Sequence, residues 1–168
     1  GDACAGGGFK EAVEWLSGRD LSHRPVFIIT DTCEEDIEPR PQEMPAASDH
    51  RWDAVREYLV ETRKLPAVLV DWLHEGGLVF ADDHQNAVFV LHTLTNNTWV
   101  RGEVTGASLR GTWRENSHYH GLAPGSARDQ GWFWIGTGRG PVRRVLLTEP
   151  PIDALSLALR DKDRRVQP

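Results

Sequence analysis

The spacing of apolar positions changes along the chain, and each change marks an element. Phe9, Ala12, Val13 and Leu16 recur at three- and four-residue steps in FKEAVEWLSG, which predicts a short helix stopped by Gly18. Trp52, Val55, Tyr58, Leu59 and Thr62 repeat that spacing in HRWDAVREYLVETRK and predict an amphipathic helix. Leu65-Pro66 ends it, because the residue before a proline is pushed out of the helical region. Pro66 then starts a second helix, PAVLVDWLHEGG, that stops at Gly76-Gly77. Two short helices joined by so tight a break make a helical hairpin. From Leu78 the runs become short and β-rich: LVFAD, NAVFVLHT, NTWVRGEV, GASLRGTW and GWFWIG, separated by Asn, Asp and Gly. Asn96-Asn97 is the predicted hairpin turn, since asparagine tolerates positive φ. In GWFWIG, Trp132 and Trp134 alternate with Phe133 and Ile135, which makes one face of that strand core rather than a base-stacking surface.

The last apolar run, VRRVLLT, leads straight into Glu149. Val145 to Thr148 read as a short strand buried on both faces, because the run is continuous rather than alternating. Pro150 and Pro151 cannot extend a ladder but suit the first turn of a helix, predicted over Ile152 to Leu159 with Ile152, Leu155, Ala158 and Leu159 on one stripe. Ligands of open α/β sheets bind at the carboxyl ends of the strands, so Glu149 stands where a charge can be used, and Asp153 can point to the same rim. A glutamate after a strand and an aspartate in a first helical turn also occur for reasons of the helix dipole alone.

These elements amount to an α+β chain: a helical hairpin, an antiparallel meander, and the first β-α unit of an α/β domain. Arg19 to Asp49 hold Pro25, Pro39, Pro41 and Pro45 and the acidic run DTCEEDIEPRPQEMP, and read as linker. VFIIT inside that stretch is either a stray strand or a docking segment. No apolar run reaches membrane-spanning length and no signal-peptide pattern opens the chain, so a cytoplasmic protein is expected. Cys4 and Cys33 are too few and too far apart for a zinc site or a disulfide framework. A net charge of -6 speaks against a wholly nucleic-acid-coated surface. It leaves room for local basic ground, and arginines gather at Arg101, Arg110 and Arg114 and again at Arg139, Arg143 and Arg144.

YLVETRKLP, GLVFADDHQNAVF, TGASLRGTW, YHGLAPGS and VLLTEPPIDALSLAL, in that order, resemble the toprim-associated proteins of plasmids and mobile elements, which are in turn similar to the catalytic core of bacterial DNA primase. The resemblance runs from about Trp52 to Leu159. It implies four segments: 1–18, a helix remnant of an upstream zinc-ribbon-like module; 19–49, a linker; 50–141, a primase-core-like toprim-associated domain; and 142–168, the start of a toprim domain. Glu149 then corresponds to the toprim glutamate of metal-assisted phosphoryl transfer, and Asp153 to the aspartate four residues later in primases. Mg²⁺ or Mn²⁺ bound through such carboxylates offsets phosphate charge and aligns the attacking oxygen. Arg110 matches the phosphate-facing arginine of the primase meander, with Arg101 and Arg114 as further phosphate contacts. His120 stands where primases offer a lysine and His84 where they offer an arginine, and a neutral imidazole supplies less charge than either. His118 reads as a loop residue, and His74 and His92 as structural.

The expected function is therefore that of a primase-like toprim protein, performing Mg²⁺-dependent nucleotidyl transfer in replication or mobilisation of a plasmid or mobile element. Its expected partners are single-stranded DNA, nucleotides and a helicase or other replication protein, with no membrane and no zinc site within the chain. The family's second acidic motif, Asp-x-Asp, would follow Pro168, so this chain is expected to be a partial, inactive form that self-associates through the open edge of its last strand. The alternative is a non-catalytic nucleic-acid-binding or replication-complex module in which the arginines and the glycine loop hold phosphates.

Overall fold

The computed structural model describes residues 26–30, 43–94, 100–113, 118–127, 129–137 and 144–164. They form an α+β protein in two compact units, one of Asp36–Ala127 and the other of Gly1–Glu35 with Arg128–Pro168. Among the described residues no helix is long and apolar enough to cross a membrane.

The larger unit begins with the expected helical hairpin. Helix α1 (Asp49–Glu57) continues as one π-helical turn through Tyr58–Thr62, and α2 spans Ala67–Glu75. Val55 and Leu59 of the first and Val70 and Leu73 of the second are buried at the helical spacing that the sequence shows. The π-helical turn closes with Leu65 N–H donating to the Leu59 carbonyl six residues back, and Lys64 just before it carries a positive φ of 58°. At the end of α2 the corresponding residue is Gly77, with φ of 66°, which has no Cβ to oppose it. The two helices are clamped by a bidentate pair, Arg56 Nε to Asp71 Oδ1 at 2.6 Å and Nη2 to Oδ2 at 2.9 Å. The ion pair holds the Asp71 carboxyl below its ordinary range, through the hydrogen bonds from Arg56. Trp52 stacks on His74 with ring centroids 3.7 Å apart, and His74 Nδ1 donates to the Val79 carbonyl, so the expectation of a structural His74 holds.

The hairpin lies on a sheet of order β2-β3-β4-β5: β2 (Val79–Ala81), β3 (Asn86–Leu94), β4 (Arg101–Gly111) and β5 (His120–Leu122), all antiparallel. Ser48 N–H donates to the Ala81 carbonyl and Ala47 bridges Asp82, which fixes the start of α1 beside β2. The described parts of two segments expected as separate strands, NTWVRGEV and GASLRGTW, join in the single strand β4 (Arg101–Gly111). The irregularity between them is taken up by register shifts around His92 and by Gly106, whose φ is 151°. Between β2 and β3 the buried Asp82 closes the turn: its two carboxylate oxygens accept from Asn86 N–H at 2.7 Å and Asn86 Nδ2 at 2.8 Å. His84 is exposed in that turn.

The smaller unit holds a second sheet of order β6-β1-β7: β1 (Val26–Thr30), β6 (Trp134–Thr137) and β7 (Arg144–Thr148). VFIIT, inside the stretch read as linker, is thus the central strand, antiparallel to β6 and parallel to β7. Local pattern could not show this, because the pairing joins segments more than a hundred residues apart in sequence. GWFWIG, read with the 50–141 segment, likewise pairs here, and Phe133, Trp134 and Ile135 are all buried rather than alternating. Helix α3 (Pro151–Arg164) packs against all three strands and buries Ile152, Ala154, Leu155 and Ala158. Strand β7 is half-buried along Val145–Thr148, not covered fully as its apolar run predicts. The helix over 9–18, its zinc-ribbon context, the Asn96-Asn97 turn and both cysteines lie outside the described residues.

Candidate functional site

Glu149 follows β7 at its carboxyl end, where the chain bends before α3. Strands β1 and β7 run parallel with Thr30 opposite Thr148, so this is the carboxyl rim of a parallel pair, the location at which open α/β sheets take ligands. Pro151 begins the helix and the Pro150 carbonyl accepts from Asp153 N–H at 3.1 Å and Ala154 N–H at 3.3 Å. The double proline therefore does what its sequence suggests: it ends the strand and sets the first helical turn. Glu149 and Asp153 are both exposed, four residues apart on the strand-to-helix turn. Among the described residues no three His, Cys, Asp or Glu side chains gather into a group able to hold an ion by themselves. Mg²⁺ commonly keeps several waters and is bound through one or two carboxylates together with substrate phosphates, and Glu149 and Asp153 are of that donor type.

The predicted phosphate ligands fall in the larger unit. Arg110 on β4 and His120 on β5 are directly opposite one another in the antiparallel register. Arg110 is half-buried, its Nε donating to the Tyr58 hydroxyl at 3.4 Å, and His120 is exposed. Arg101 stands at the other end of β4, nine residues away, which is about 30 Å of strand. It is half-buried, and burial pushes its pKa down. Burial and the charge of Arg101 together push the His92 imidazole below its ordinary value. Arg110 and His120 are thus brought together, and Arg101 is separated from both; Arg114 lies outside the described residues.

Sequence reasoning passed over three residues near Arg110. Tyr58 was assigned to the apolar face of α1, and its hydroxyl is the group that engages Arg110. Trp113 and Tyr119 are exposed, at 63% and 52%, beside the point where Gly111 N–H donates to the Tyr119 carbonyl. The tryptophan closing GASLRGTW and the tyrosine opening YHGLAPGS were both visible signals. Two of the quoted motifs also meet directly: Ser126 of YHGLAPGS lies against Gly106 of TGASLRGTW, and its Oγ accepts from Ala107 N–H at 3.1 Å.

No solved structure matches this chain. An uncharacterized protein of Bacillus anthracis, pXO2-78, is 30% identical over 116 residues, which is 67% of this chain and 31% of that protein, so the chain spans about a third of the relative's length. Residues 57–140, half of the chain, match the family described as "Protein of unknown function (DUF3991)", from the π-helical turn of α1 to just beyond β6, and the chain belongs to that family.

Proposed function

We propose that this chain is part of a primase-like toprim protein that acts on single-stranded DNA and nucleotides in the replication or mobilisation of a plasmid or mobile element. The observation that carries the reading is the position of Glu149: an exposed carboxylate at the carboxyl end of a strand paired in parallel, with Asp153 exposed one helical turn on. Mg²⁺ or Mn²⁺ held there would neutralise phosphate charge and align an attacking oxygen during nucleotidyl transfer. Glu149 and Asp153 supply carboxylate oxygens, which hard cations prefer. The relative's name, pXO2-78, fits a plasmid setting. A helicase or another replication protein is the proposed macromolecular partner.

The test is primer synthesis with Mg²⁺ or Mn²⁺ by the protein extended beyond Pro168, compared with its Glu149→Gln variant. The variant is expected to lose synthesis while keeping its melting temperature. Equal activity would remove Glu149 from the mechanism and the reading with it.

A second reading is a non-catalytic nucleic-acid-binding module. It is favoured by the opposition of Arg110 and His120 on adjacent strands of the unit that contains most of the family match. Under it, binding is steeply salt-dependent and indifferent to Mg²⁺.

A further inference from the structure

The β4–β5 end of the larger sheet combines two features that a single nucleic-acid strand uses. The first is aromatic. Trp113 and Tyr119 expose more than half of their surface, although large aromatic side chains normally bury theirs. The Gly111 to Tyr119 backbone hydrogen bond brings them to the same end, with Trp113 two residues past the bonded position. Trp113 stands in the bend just past the end of β4, and Tyr119 immediately precedes β5.

The second feature is charge. One position back from Gly111, Arg110 faces His120 across the strands, and Tyr58 engages Arg110 through Nε. The guanidinium fork is the group suited to bidentate contact with a phosphate. Side chains alternate along a strand, so Arg110 and His120 project to one face of the ribbon and Tyr119 to the other. Strand β5 has three residues and stands at the edge of its sheet, so a flexible polymer can pass over this edge and meet both faces. A duplex keeps its bases stacked inside and offers nothing to Trp113 or Tyr119.

From this arrangement we infer that the β4–β5 edge is a platform for single-stranded DNA, with bases stacked on Trp113 and Tyr119 and a phosphate held by Arg110 and His120. It rests on the nucleic-acid reading above and is independent of Glu149. The phosphate contact makes the affinity of this edge fall as salt rises.

The experiment is fluorescence anisotropy of a labelled fifteen-nucleotide oligo-dT titrated with the 168-residue chain across a salt series. Trp113→Ala and Tyr119→Ala are each expected to weaken binding roughly 5- to 150-fold with the salt slope unchanged. Arg110→Ala is expected to lower that slope by about one. Tyr119→Phe, which keeps a ring, is expected to retain binding, and an abasic strand of equal length is expected to bind wild-type protein about as weakly as oligo-dT binds the Trp113→Ala/Tyr119→Ala double variant. Thermal melting by circular dichroism shows that each variant is folded. Undiminished binding by the two alanine variants, or equal affinity for duplex and single strand, overturns the platform and leaves the nucleic-acid reading standing. Absence of any binding to oligo-dT at low salt overturns both.

Discussion

Ser126 occupies the space that a side chain at Gly106 would need: a Cβ built there falls 2.3 Å from the serine Cβ and Oγ and 2.7 Å from its Cα. The strand residue is glycine for this reason and for its φ of 151°. The close approach lets the segment after β5 fasten onto β4, with Ala123 N–H donating to the Ala107 carbonyl, Ala127 N–H to the Thr105 carbonyl, and Ser126 Oγ accepting from Ala107 N–H. Gly106→Ala is expected to cost about 2–4 kcal/mol, from the backbone strain and the overpacking together. Adding Ser126→Gly relieves only part of it, because the backbone Cα at 2.7 Å remains. Urea unfolding of the single and double variants measures both, and a loss below about 0.5 kcal/mol would refute the account.

Lys64 presents the opposite case. It holds φ of 58° at the close of the π-helical turn, a conformation that costs a residue with a Cβ about 1–2 kcal/mol. Its ammonium is 3.8 Å from Glu61 with both side chains largely exposed, and such a pair contributes little. Lys64→Gly is expected to stabilise the chain by about 0.5–1 kcal/mol, less than the full strain because glycine also frees the unfolded chain. Denaturant midpoints of the two proteins at equal slope decide it.

Asp82 and Asn86 form the buried support of the β2–β3 turn. Truncating Asn86 to alanine keeps the backbone bond and removes the Nδ2 donor, leaving a buried carboxylate oxygen without its partner. The expected cost is about 1–3 kcal/mol. His84, exposed in the same turn, is the control: His84→Ala is expected to stay within about 0.5 kcal/mol of wild type. If the two substitutions destabilise equally, the carboxylate is not what holds the turn.

These local devices differ in how far the sequence discloses them. The helical hairpin was legible because Val55, Leu59, Val70 and Leu73 keep a helical period and because Pro66 and Gly77 punctuate it. The placement of Glu149 was legible for the same kind of reason, a continuous β-rich run stopped by two prolines. The role of Val26–Thr30 was not, since nothing within five residues reveals that the strand will lie between two partners far along the chain. The aromatic edge was hidden differently. Trp113 and Tyr119 are residue types that normally belong to cores, so only their exposure distinguishes them. Arg110 was identified by motif, while its contact to Tyr58 depends on how the sheet meets α1 and has no signature in either segment.

His92 gives the chain a pH dependence whose sign follows from its surroundings. Burial disfavours the charged imidazole and the Arg101 guanidinium repels it; together they outweigh the backbone contact at Val90 and depress its folded pKa. The unfolded chain, with an ordinary histidine, therefore takes up this proton at a higher pH than the folded one. Above the ordinary value both states are neutral here and stability is unaffected. As the pH falls through that value, protons bind preferentially to the unfolded state, and stability declines until the depressed folded value is passed. His92→Gln removes this contribution, so its stability is expected to change less than that of wild type between about pH 7 and pH 5. Arg101→Gln is expected to raise the His92 pKa, observed by NMR titration of the imidazole. Parallel stability curves for wild type and His92→Gln, or an unmoved titration in Arg101→Gln, would show that this end of the β3–β4 pair does not control the acid response.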